Sequence, residues 1–141
     1  MRQNSVRPYA SLVLVIILGL ALGWGLINRY SVAPQDQSYV EPARRFLSAA
    51  VTADSAQLTQ VAVPRVVAWA LETARTNSVL LGALLNGLKE TAARQAGDTT
   101  LVLFSSNGFG SCSNPPLAIT FEGPPSKARL VALSADCEPR R

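Results

Sequence analysis

The sequence predicts an α+β protein: one transmembrane helix, then a small domain of three to four helices packed on an antiparallel sheet of about three strands. Three observations predict it. The 21 residues from Pro8 to Asn28 carry no charge, with Arg7 and Arg29 closing the run. From Val40 to Leu88 the apolar residues recur at helical spacing. After Gly97 the chain turns to short runs of β-branched, aromatic and aliphatic residues.

As a helix at about 1.5 Å per residue, the uncharged run would be roughly 31 Å long, the thickness of a bilayer's hydrocarbon layer. It divides the chain into a stub (residues 1–7), a span (8–29), a linker (30–37) and a domain (38–141). The stub carries Arg2 and Arg7, which favours a cytoplasmic N-terminus. Arg29, Arg44 and Arg45 beyond the span oppose that orientation. A cleaved signal peptide is the rival, since Ser31-Val32-Ala33 has the small-x-small form of a cleavage site. The apolar run is longer than a signal peptide's, however, and Pro34 would follow the cut. An uncleaved anchor is expected. Gly19 and Gly23 are four residues apart, a spacing that lets two membrane helices approach closely, although glycine is common in such helices anyway. Trp24 sits near the end of the run, suited to the interface or to a partner contact.

Ser38 and Glu41 form a capping-box pattern ahead of a helix expected over Tyr39–Ala53, with Val40, Ala43, Phe46, Leu47, Ala50 and Val51 on one face. Asp54 and Gln57 begin a second helix, and Pro64 opens a third at its first position. Trp69 on the third reads as core or as a ligand platform, core being the ordinary role. Ser78 is expected to cap a fourth helix that Gly97 ends, apolar to Leu88 and polar from Lys89 to Gln95. Strands follow at Thr99–Phe104, Leu117–Phe121 and Arg129–Leu133. The last two are joined by the turn Glu122-Gly-Pro-Pro-Ser126. The first two are joined by a long loop of Ser, Asn and Gly around Phe109, read as an exposed anchor for a partner or as a plain surface loop.

Composition narrows the function. From Tyr30 onward ten Lys/Arg face nine Asp/Glu, so the domain lacks the basic stripe of a nucleic-acid binder. There is no histidine, the commonest general base and metal ligand. No serine has a partner to activate it, no paired carboxylates fall at a catalytic spacing, and no metal cluster is visible. Catalytic, metal and cofactor residues are therefore expected to be none. Cys112 and Cys137 fit one disulfide tying the long loop to the C-terminal tail. Disulfides persist outside the cytoplasm; the alternative is two buried thiols in a cytosolic domain.

Ala43-Arg-Arg-Phe-Leu47, followed by Ala50, Asp54 and Leu58, resembles the opening helix of the cone-shaped α+β superfamily named for nuclear transport factor two, which includes polyketide-cyclase-like domains. The resemblance covers about residues 43–58 plus the element order. It implies that fold and a pocket. The family's enzymes use acids and histidines there, and this chain has no histidine, so catalysis is not implied.

The expected role is a structural or assembly subunit of a larger membrane complex, respiratory or photosynthetic for example. Its partners would be the lipid bilayer and other integral membrane subunits, with the N-terminus cytoplasmic and the domain periplasmic at the inner membrane. The alternative is a membrane-anchored ligand-binding or envelope-sensing domain, whose small-molecule pocket would be lined by residues such as Trp69, Phe104 and Phe121.

Overall fold

A computed structural model describes residues 38–110, 112 and 114–137. Four helices precede a four-stranded antiparallel sheet in which each strand pairs with the next. The helices are α1 (Val40–Val51), α2 (Ser55–Val61), α3 (Pro64–Thr76) and α4 (Ser78–Leu85). The strands are β1 (Lys89–Ala96), β2 (Thr99–Ser105), β3 (Leu117–Glu122) and β4 (Arg129–Ser134).

The expected fold class needs correcting on two counts. The sheet has four strands, not three. Among the described residues, no helix is long and apolar enough to cross a membrane. The run expected to do so, 8–29, with Gly19, Gly23 and Trp24, lies outside those residues.

The helix starts show which local signals won. Asp54 caps α2, its carboxylate accepting from the Gln57 N–H at 3.0 Å. Pro64 takes the first turn of α3, where its missing N–H costs nothing. The cap of α4 is Asn77 rather than Ser78; its side-chain oxygen accepts from the Leu80 N–H at 3.2 Å. The capping box at α1 does not form. Glu41 instead pairs on the surface with Arg44 at 3.8 Å and Arg45 at 3.3 Å. Its place is taken from across the domain: the Glu90 carboxylate of β1 accepts from the Tyr39 N–H at 2.9 Å and from the Ser38 hydroxyl at 3.3 Å. An anion is favoured there, at the positive end of the helix.

The fourth strand replaces the polar half of the expected fourth helix. α4 stops at Leu85, and Lys89–Ala96 pairs with β2 from Lys89↔Ser105 to Ala96↔Thr99. Gly97, expected to end a helix, turns a hairpin. It has φ +62°, while Asp98 after it is not in the left-handed region. That is the pattern of a two-residue type II′ turn, whose twist matches the strands it joins.

Pairing register sorts the sheet into two faces. Phe104, Val102, Leu117, Ile119, Phe121 and Leu130 are buried and share the helix side with Phe46, Leu47, Leu58, Leu81 and Leu84 in one core cluster. The β3 pattern alternates buried and half-buried, as a half-covered sheet requires. The rows Ala92–Leu103–Ala118–Ser134 and Arg94–Leu101–Thr120–Ala132 form the other face.

Candidate interaction site

The two edges of the sheet end differently. Along β4, the chain between α2 and α3 covers the start of the edge: Ala62 bridges to Leu130, and the Val63 N–H donates to the Leu130 carbonyl at 2.9 Å. Along β1 nothing described pairs with the outer edge. Seven of its eight residues are exposed and the eighth, Glu90, is half-buried. Thr91 bulges the strand between Glu90 and Ala92 and donates its hydroxyl to the Leu103 carbonyl at 3.0 Å. Beyond that bulge the edge has no proline and no further irregularity.

Above the helix-side face of β1 lies an open cleft of about 810 Å³. Its floor includes Ala93 and Gln95, and its sides are the Gly97-Asp98 turn, the Glu122–Pro125 turn and Tyr39. Tyr39 is buried, 7% exposed, and fixes that wall. Its hydroxyl donates to the Gly123 carbonyl at 3.1 Å and lies 3.3 Å from the Thr100 hydroxyl. Its ring tilts against Phe121 with centroids 4.7 Å apart. Asp98 and Glu122 border the cleft, the Glu122 side chain on the opposite face of the sheet in the row with Thr99 and Arg129; neither has an ion pair among the described residues. A second cleft, of about 440 Å³, lies between α1 and α2 and holds Arg44 and Arg45, both of which pair with Glu41.

Cys112 and Cys137 lie at disulfide distance, with Cα atoms 6.4 Å apart. Phe109 is corrected. It is 6% exposed and belongs to the core cluster, so it is not an exposed anchor. The loop around it is seated on the end of α4. Asn107 N–H donates to the Asn86 carbonyl at 2.8 Å, and the Ser106 hydroxyl is shared between the carbonyls of Ala83 and Asn86. These carbonyls at a helix end would otherwise lack partners. Gly108 passes so close to Ala83 that a Cβ there would overlap its backbone. The polar residues of this loop thus hold it to the domain, and its one aromatic ring is inside.

Trp69 is half-buried and packs against the core. Phe104 and Phe121 are fully buried and meet edge to face at 6.4 Å. None of the three lines either cleft. Among the described residues, no group of three or more His, Cys, Asp or Glu is placed to hold a metal ion. Glu72 raises the Arg75 guanidinium above its ordinary pKa, first through a 2.6 Å hydrogen bond and then through its charge; the pair is on the surface and contributes little to stability.

Sequence reasoning missed β1, Tyr39 and Glu90 as site residues. The Gly97-Asp98 dipeptide between two runs was the available signal, since Gly-Asp is a hairpin pattern as well as a helix end. No family model matches the chain, and no curated protein matches it significantly.

Proposed function

We propose that the chain is a non-catalytic accessory subunit, held at a membrane by its N-terminal apolar run and contributing an outer-face domain to a larger membrane complex. The observation that carries this reading is the open β1 edge. It is a long strand exposed on both faces, on a domain whose opposite edge is partly covered, at Leu130. Exposed edges invite pairing with another chain; β1 is blunted at its start by Lys89 and the bulge at Thr91, and from Ala92 to Ala96 Arg94 is its one charge. The uncharged run Pro8–Asn28 supports the membrane placement, and Cys112 with Cys137 at disulfide distance supports an oxidising compartment. The fully packed Phe104 and Phe121 favour interaction over the alternative of a ligand-binding pocket domain.

The test is gentle detergent extraction of the native protein from its own membranes, followed by sizing and mass spectrometry. Stoichiometric co-purification with integral membrane proteins is the expected result. Elution alone as a small particle would overturn the reading.

A further inference from the structure

We infer that the β1 edge and the cleft above it dock an extended segment of another protein chain, with a basic residue facing the cleft and an acidic residue on the opposite face. This deepens the accessory-subunit reading and rests on it.

The backbone supplies the first part of the argument. Among the described residues β1 pairs with β2 on one side only, which leaves alternate N–H and C=O groups along its outer side to continue the ladder. From Thr91 to Ala93 its side chains are small, so an added strand meets no steric barrier. The sequence of β1 supplies the second part. Lys-Glu-Thr-Ala-Ala-Arg-Gln-Ala is rich in helix formers and is exposed on both faces. Neither propensity nor burial explains its extended form in the isolated domain. Such conflicts between local preference and fold concentrate at functional sites.

Charge chooses the occupant. On the helix side, Asp98 lines the cleft and no cation does; Glu122, in the row Thr99–Glu122–Arg129, turns its carboxylate to the other face. Glu90 on that side is already engaged with Ser38 and Tyr39. On the other face stands Arg94, level with Leu101 and without an ion pair among the described residues. Because side chains alternate along a strand, one segment satisfies both faces by placing Lys or Arg inward and Asp or Glu outward. A second copy fits worse. Antiparallel pairing of β1 with itself about a two-fold axis keeps like faces together, so on the Arg94 face the mate offers Lys89, Ala92, Arg94 and Ala96 and no carboxylate, and on the cleft side Glu90, Ala93 and Gln95 and no cation.

The test uses the purified full-length chain in mild detergent and three capped peptides of about ten residues, enough to run the length of β1. One alternates Lys with Glu, one Lys with Thr, and one Glu with Thr. Binding is read by anisotropy of the labelled peptide, and its location by hydrogen exchange. The Lys/Glu peptide is expected to bind best, the Glu/Thr peptide worst, and binding is expected to slow exchange in 89–96. Arg94→Glu should weaken the Lys/Glu peptide by about tenfold at low salt. Asp98→Asn should weaken the Lys/Thr peptide. Both positions are exposed, Arg94 on the strand and Asp98 in the turn, so the variants fold. Equal binding of all three peptides, or no protection of β1 by any, overturns the proposal. So does concentration-dependent self-association that protects β1, which would give the edge to a second copy. Co-purification with membrane partners alongside absent peptide binding would overturn the docking site and leave the subunit reading standing.

Discussion

β1 and β3 are both strands of one sheet, and they are strands for different reasons. β3 is Leu-Ala-Ile-Thr-Phe-Glu, paired on both sides, with Leu117, Ile119 and Phe121 fully buried. Its residues favour a strand, and its alternation fits a sheet covered on one face. β1 has no buried residue and a helix-forming composition. It is extended because β2 offers it a ladder and because Gly97-Asp98 turns the chain back onto that ladder. One strand is specified by what its side chains bury, the other by its neighbours. Substitutions should therefore act on β3 through its side chains and on β1 through its turn and its backbone.

The largest effect is expected at Phe121. Its ring is fully buried between Tyr39 and Phe104, at centroid distances of 4.7 and 6.4 Å. Phe121→Ala leaves a cavity in the core and should cost about 3–5 kcal/mol, read as a fall in the urea midpoint with an unchanged slope. A loss below about 1 kcal/mol would mean that burial does not specify β3. Opening the cysteine pair comes next. The residues are 25 apart in sequence, and replacing both by serine should cost about 3 kcal/mol in the chain-entropy account. An oxidised wild type no more stable than the double variant would remove the tie from the fold.

Much of this architecture was legible in the sequence. Helix starts written in one short segment were read correctly at Asp54 and Pro64, because the capping group and the N–H it serves are three residues apart or fewer. The three strands from Thr99 onward were legible because burial imposes alternation on them. β1 was not legible as a strand: nothing buries it, so no periodicity marks it. The cap of α1 was not legible either. Glu41 stands where a capping box wants it, but the carboxylate that serves the Tyr39 N–H belongs to Glu90, distant in sequence and brought there by the β1–β2 hairpin. Phe109 was misjudged for a related reason. Its Ser, Asn and Gly neighbours look like a solvated loop, yet their hydrogen bonds are spent on the end of α4. The candidate site was hidden along with β1, since its edge and floor belong to that strand.

A smaller effect is expected at the turn that holds β1. Gly97→Ala places a Cβ at φ +62° in the first central position of a type II′ turn, a conformation that costs an L-residue about 1–3 kcal/mol. Space is not the obstacle, since no neighbouring atom lies within 4 Å of where that Cβ would sit. The loss should appear as faster hydrogen exchange in β1 before it appears in the global midpoint. Uniformly faster exchange across β1 and β3 would show that the two strands open together and are not separately specified.

The smallest effect carries the sharpest sign. Ala92 is exposed on the open face, opposite Leu103. Ala92→Thr exchanges a helix former for a β-branched residue beside an aliphatic neighbour. If β1 is a strand held only by its ladder, the change should stabilise the domain by a few tenths of a kcal/mol, up to about 1. The same substitution on an exposed helix would destabilise by a similar amount, since threonine is the poorer helix former. The direction of the shift in midpoint therefore reports the backbone that β1 holds in solution. A gain places the hairpin there in the isolated chain, whereas a loss means that Lys89–Ala96 spends its time as a helix and takes up the strand only beside a partner.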